Sequence, residues 1–169
     1  MVERSLSATP FHWFGLFAVG FAAVVADQVT KQIVISQLDL GDSVHVAGPL
    51  EIRHVTNPGI AFGLFSSWAT VVTALTAVAV VWMLFYFARA GARHPVLPVA
   101  LGLLVGGSLA NLIDRLRLGH VTDFLDLRFW PAFNLADTFI VFGVAILLAA
   151  LVSAERQPRL RRTAPKTSG

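Results

Sequence analysis

Residues 94–115 read His-Pro-Val-Leu-Pro-Val-Ala-Leu-Gly-Leu-Leu-Val-Gly-Gly-Ser-Leu-Ala-Asn-Leu-Ile-Asp-Arg. Up to Ile113 this stretch holds no Asp, Glu, Lys or Arg, and it closes on Asp114 and Arg115. About 20 apolar residues in a helix cross the roughly 30 Å hydrocarbon core of a bilayer. The stretch is therefore the length of a membrane span with its charges gathered at one end. Working outward, residues 5–26, 54–88 and 138–154 are equally free of the four charged types. The composition agrees, with 14% charged and 56% hydrophobic residues, against about 25% and 45–50% in soluble domains. A disordered chain and an ordinary soluble core are both excluded. The expected architecture is an all-α membrane protein. Four transmembrane helices at about 11–31, 69–88, 96–115 and 135–154 form one membrane-embedded unit over 1–154, and 155–169 is a basic tail expected to be disordered.

The connections are legible in outline. Ser43–Ala47 and Leu50–Thr56 are short, β-branched and partly alternating, which predicts a small β element, and Asn57-Pro58-Gly59 is a turn signal. Gly106-Gly107-Ser108 would let another helix approach closely. With both termini on one side, that side holds eight Lys and Arg (Arg4, Arg89, Arg93, Arg156, Arg159, Arg161, Arg162 and Lys166) against five on the other, which predicts cytoplasmic termini. Eight of the ten acids fall on the opposite, outer side. The small residues at Val24-Val25-Ala26 offer a rival, a removable signal peptide. The length of the apolar run and the polar residues just after it favour a retained span, and the intact mass of the protein distinguishes the two. There is no cysteine, so thiolate metal sites, disulfides and Cys nucleophiles are excluded. The net charge of +3 does not call for nucleic acid, since most basic residues flank apolar runs or sit in the tail, as at a membrane surface.

Ionisable residues inside spans are costly and mark functional sites by default. Four polar clusters occur, all at the outer side. Asp27 and Lys31 stand i,i+4 with the acid first, the favourable order for a helix pair. The plain reading is a pair snorkelling to the interface; the functional one is a pair that holds substrate or orients another group. Asn57-Pro58-Gly59 is either turn chemistry alone or a loop amide for a substrate backbone. Asn111, Asp114 and Arg115 close the third span, where they either knit helices together or line a site. Asp123 lies beyond them in an otherwise apolar Val-Thr-Asp-Phe-Leu context. Asn134 is placed to cap the fourth span with Asp137 at the third helical position, where an acid also suits the helix dipole.

Asp123 and Asp137 flank the short connection between antiparallel spans, so the facing helix ends bring them together. Two close carboxylates tend to share one proton. One then takes a proton from water while the other hydrogen-bonds a scissile carbonyl, the acid–base logic of an aspartic protease. The five histidines, at 12, 45, 54, 94 and 120, are dispersed with no H-E-x-x-H, which speaks against a zinc peptidase, and no metal or other cofactor is expected. A Ser–Lys dyad from Lys31 has no supporting motif. A proton channel or transporter would carry polar groups through the whole membrane, whereas the inner halves of these spans are almost bare of them.

Taken together, D-Q-V-T-K at 27–31, N-P-G-I-A-F-G at 57–63, N-L-I-D-R at 111–115, V-T-D-F at 121–124 and F-N-L-A-D at 133–137 resemble the lipoprotein signal peptidase family, also called signal peptidase II, bacterial membrane aspartic proteases. Each motif is modest alone, and five in order across about 11–154 are highly specific. The resemblance implies Asp123 and Asp137 as the catalytic pair. It implies Asn57, Gly59, Asn111, Asp114, Arg115, Asn134 and Ala136 around the site, with Asp27 and Lys31 supporting it. It further implies cleavage of diacylglyceryl-prolipoprotein just before the lipidated cysteine, in the bacterial inner membrane, by a monomer sensitive to globomycin. An extracytoplasmic β-cradle and a short periplasmic helix belong to the same expectation. The departures are Ala110 where a glycine is expected, Thr122 where an apolar residue is usual, and a short stretch, 124–136, between the two aspartates.

Overall fold

The computed structural model describes residues 9–58, 69–90 and 96–163, with side chains as far as 153. The described residues form four helices and three strands. They are α1 Pro10–Gln37, β1 Ser43–Ala47, β2 Leu50–Asn57, α2 Ala69–Ala90, α3 Leu97–Leu118, β3 Val121–Asp126 and α4 Leu135–Thr163. All four helices are long and apolar enough to cross a membrane. The helix expected over 11–31 extends a further turn and a half, so that Asp27 and Lys31 sit well inside α1. At the other end α4 runs on to Thr163, into the segment expected to be a disordered tail. The short periplasmic helix is expected in the first outer connection, of which residues 59–68, Gly59 among them, lie outside the described residues.

Packing sorts the helices. Of the apolar window of α3, 72% is buried, against 11% for α2 and α4, so α3 is the central helix and the others surround it. The small residues of α3 explain this. A Cβ added at Gly106 would come within 2.8 Å of Gly20 Cα on α1, and one added at Gly107 would strike the Ala136 carbonyl of α4. The two adjacent glycines thus serve two different neighbours, and backbones close to this distance pack without intervening side chains. Leu16, Phe87, Leu97, Leu101 and Leu104 fill the space left among α1, α2 and α3.

The β element is larger than expected from sequence. The two anticipated strands pair antiparallel, Ser43 opposite Arg53, and β2 extends to Asn57. The sequence predicts no strand beyond the end of the third span, yet Val121–Asp126 forms β3. It pairs antiparallel with β2 to give the order β1-β2-β3. Val121 to Phe124 are buried on both faces of β3, since the sheet lies against the end of the bundle. Between the pairs Ile52–Leu125 and Val55–Asp123, β2 carries one extra residue. This bulge turns the strand locally. The displaced His54 bonds instead to the linker after α1, through Asp42 O (3.0 Å) and Leu38 O (3.0 Å).

Candidate active site

The polar clusters, far apart in sequence, meet where the sheet joins the bundle. The deepest layer is an ion triad. Lys31 Nζ lies 2.6 Å from Asp27 Oδ2 and 2.7 Å from Asp114 Oδ2, and it donates to Asn111 Oδ1 at 3.0 Å. An ammonium has three donors, and three side-chain oxygens lie within 3.0 Å of this one. Asp27, Lys31 and Asp114 are 0%, 3% and 4% exposed, so the pair does not snorkel to an interface. Burying charges costs several kcal/mol per ion, and the ammonium shared by the two carboxylates offsets part of that cost.

The triad reaches outward through its remaining oxygens. Asp27 Oδ1 accepts the backbone N–H of Ala136 at 2.9 Å, so a side chain of α1 satisfies a free donor of the first turn of α4. Asp114 accepts from Gln28 Nε2 at 2.8 Å and from the Thr122 N–H at 3.4 Å, which ties the start of β3 to the end of α3. Gln28 also donates to Ala110 O at 3.4 Å. Gln28 is a site residue that motif reading passed over. Its signal was present: a polar residue in an apolar helix, three positions from Lys31 and so on nearly the same face.

The next layer consists of amides. Asn134 and Asp137 bond reciprocally, Asp137 N–H to Asn134 Oδ1 at 2.9 Å and Asn134 N–H to Asp137 Oδ2 at 3.4 Å. This is a capping box at the start of α4, as expected, but it is also part of the site. The Asn134 amide nitrogen donates to Asp123 Oδ1 at 2.7 Å, so one asparagine touches both carboxylates. Asn111 donates to Asp137 Oδ1 at 2.8 Å and Asn57 to Asp123 Oδ2 at 3.0 Å. Asn57 pairs with Val121 across the sheet, which makes Asp123 its diagonal neighbour on the same face, within reach of a long side chain. Arg115 donates to Asn111 O at 3.4 Å and feels the charges of Asp137, Asp123 and Asp114.

Asp123 and Asp137 are therefore neighbours, although not both at helix ends as the sequence implied. Asp137 stands in the first turn of α4, and Asp123 is the third residue of β3. Burial is the main cause that pushes the Asp123 carboxyl up to about 6. The Asn57 hydrogen bond opposes the rise and the Asp137 charge adds to it. Of the departures, Thr122 is 1% exposed and its backbone serves Asp114 and Asn134, while Ala110 is fully buried and supplies a carbonyl to Gln28.

Both carboxylates face one cavity of about 660 Å³. Its floor is Asn57, Asn111, Arg115, Asp123 and Asp137, and its walls are apolar, from Phe129, Trp130 and Phe133 of the β3–α4 connection and from Ile140, Val141 and Phe142 of α4. Val141 and Phe142 are mostly exposed on the outside of the bundle, so the cavity opens sideways onto the surface that faces lipid. A smaller hollow of about 240 Å³ runs along the end of β2 past Thr56 and Pro58 and also ends at Asp123.

Fold and site together define a class: a four-span membrane protein with a buried carboxylate pair at one end of its bundle, in a cavity open to the lipid side. A family model described as signal peptidase (SPase) II matches residues 19–153. The lipoprotein signal peptidase of Pelotomaculum thermopropionicum is 41% identical over 139 residues, covering 82% of this chain and 91% of the relative. That of Moorella thermoacetica is 43% identical over 122 residues, covering 72% and 81%. A bacterial membrane enzyme solved by the in meso method at 2.3 Å resolution superposes with a TM-score of 0.80 at 27% identity, over 99% of this chain and 100% of that one. The chain belongs to the signal peptidase II family of membrane peptidases.

Proposed function

We propose that the protein is a membrane aspartic endopeptidase. It removes signal peptides from diacylglyceryl-modified prolipoproteins, cutting just before the lipidated cysteine. The observation that carries this reading is the pair Asp123 and Asp137, brought from a strand and a helix onto one cavity and bridged by Asn134. With one proton shared between the two, the ionised carboxylate takes a proton from water and the water oxygen attacks the scissile carbonyl carbon. The protonated carboxyl gives its proton to the carbonyl oxygen. The tetrahedral intermediate then collapses: the C–N bond breaks, the leaving nitrogen takes the proton held by the first carboxylate, and one hydroxyl of the intermediate returns its proton to the second, which restores the shared-proton pair. The amides of Asn57, Asn111 and Asn134 bond to both oxygens of Asp123 and to Oδ1 of Asp137, which orients both acids before substrate arrives. Arg115 offsets part of the surplus negative charge, and Asp27, Lys31 and Asp114 hold the framework.

The shape of the cavity suits such a substrate. The lipid on the cysteine stays in the bilayer and enters by the opening beside Val141 and Phe142, while the peptide lies along the hollow beside β2. Both termini then lie in the cytoplasm and this site at the outer face of the inner membrane, a reading supported by the basic balance of the segments. A monomer suffices, since every named site residue comes from one chain, and a globomycin-type inhibitor would occupy the same cavity. The test uses purified enzyme with a lipidated prolipoprotein and an unlipidated control. Asp123→Asn and Asp137→Asn should each abolish cleavage of the lipidated substrate with folding intact, and EDTA should have little effect. Full activity in either variant would sink the assignment.

A further inference from the structure

One wall of the cavity is held by something other than the polar network. The connection from β3 to α4 is closed at its base, where Phe133 O accepts the N–H groups of Phe124 (2.9 Å) and Leu125 (2.8 Å) and Phe133 N–H returns to Leu125 O (3.0 Å). Between these points the chain carries Phe129 and Trp130, 74% and 55% exposed, out to the cavity rim. At the turn stands Arg128, with φ of 64°, which makes it the one non-glycine residue in the left-handed region among the described residues. That conformation is unfavourable for a residue with a Cβ. Its N–H is bonded to Asp126 Oδ1 at 2.7 Å, and its guanidinium reaches back to β2, with Nε donating to Glu51 Oε1 at 3.0 Å and Nη2 donating to the same oxygen. Asp126 in turn lies 3.5 Å from Arg53 Nη1, so the strand and the turn share a network of four alternating charges. Single exposed ion pairs do little, but networks and well-aligned arginine pairs do more.

We infer that Glu51 is a positioning residue, which through Arg128 holds the Phe129–Trp130 turn as a fixed wall and thereby tightens binding of the apolar, lipid-bearing end of the substrate. Neither residue touches the reacting atoms, so the effect falls on binding rather than on chemistry. The binding role rests on the peptidase reading above, whereas the tether itself does not.

The experiment has two arms. Hydrogen exchange of the intact protein in detergent reads the tether without any substrate. In Glu51→Gln the amides of 127–132 should exchange faster than in the parent, with the helices unchanged. Steady-state cleavage of a lipidated prolipoprotein reads the consequence. Glu51→Gln should raise KM about three- to fivefold, the scale of a well-placed surface pair, with kcat changed by less than about twofold. Arg128→Gly should raise KM similarly even though glycine accepts the left-handed backbone freely, which separates a lost tether from a misfolded turn. The exchanged pair Glu51→Arg with Arg128→Glu should recover most of the loss. Unchanged exchange in Glu51→Gln, faster exchange with unchanged KM, or a fall in kcat at constant KM would each overturn the inference while leaving the peptidase reading in place. A parent enzyme that does not cleave the lipidated substrate removes that reading, and the binding role with it.

Discussion

The start of α4 and strand β3 each deliver one carboxylate to the same cavity, and they are built on different principles. Asp137 is held by a local motif. Its position three residues after Asn134 closes a capping box, and the neighbouring Ala136 N–H is satisfied by Asp27. Asp123 is held by distant parts of the chain: by pairing with β2, by the Asn57 amide 66 positions away, and by Asp114, which anchors the preceding residue. A helix terminus sets its own geometry, whereas a strand takes its geometry from its neighbours. The common support of both is the Lys31 triad and Asn134, so damage there should fall on both acids, and damage at Asn57 or Asn111 should begin with one.

The largest effect is expected from removing the shared support. Lys31→Met leaves Asp27 and Asp114 buried without their cation, a change worth about 3–5 kcal/mol. Thermal unfolding in detergent should show a collapse in stability together with loss of cleavage. A Lys31→Met protein as stable as the parent would mean that the triad is not the framework described. Next comes Gly107→Val, which drives a branched side chain into the Ala136 carbonyl and pushes α4 away from α3. Overpacking of this kind costs about 1–3 kcal/mol. Because Asp137 rides on α4 and Asp123 does not, the two acids should separate and activity should fall more than stability does.

The three amides then form a graded series. Asn134→Ala removes a group bonded to both acids and also the cap of α4, which is typically worth about 1 kcal/mol, and it should reduce kcat/KM the most. Asn111→Ala comes second, because Asn111 also accepts from Lys31. Asn57→Ala comes last, since its one bond to the pair is to Asp123 Oδ2. Measuring kcat/KM for the three variants under one condition tests the order. A reversal of the last two would show that the strand, not the helix end, is the more sensitive support.

The same contrast explains what could be read in advance. The spans were visible because charge-free runs of this length have one physical meaning, and Asn134 with Asp137 was visible because capping is a local pattern. The two glycines announced a close approach but not that it involved two helices at once. Strand β3 was hidden, since Val121–Asp126 alternates no more clearly than a helix end does and its strand character depends on β2. Gln28 was hidden for a related reason: its partner Asp114 is 86 positions away. The Asp27–Lys31 pair was visible as a pair, but only packing decides that it is buried rather than snorkelling.

The smallest effect expected is also the one that isolates Asp123. Its carboxyl stands at about 6 in the folded protein against an ordinary 3.8. A carboxyl whose folded value is raised binds its proton more tightly in the folded state, so its contribution to stability is complete below about 3.8 and is lost as pH climbs through about 6. Unfolding measured from pH 4 to pH 8 should show this component of the slope disappear in Asp123→Asn. For activity, the proton shared with Asp137 must be present, so kcat/KM should fall on the alkaline side with an apparent value that belongs to the pair. The Asn57 amide holds the Asp123 value down. Asn57→Ala should therefore move the alkaline limb upward, by about one to two pH units on the scale of a single hydrogen bond to a charged group. No movement in that limb would mean that the titrating group is not Asp123, and the division of labour between strand and helix would have to be drawn the other way.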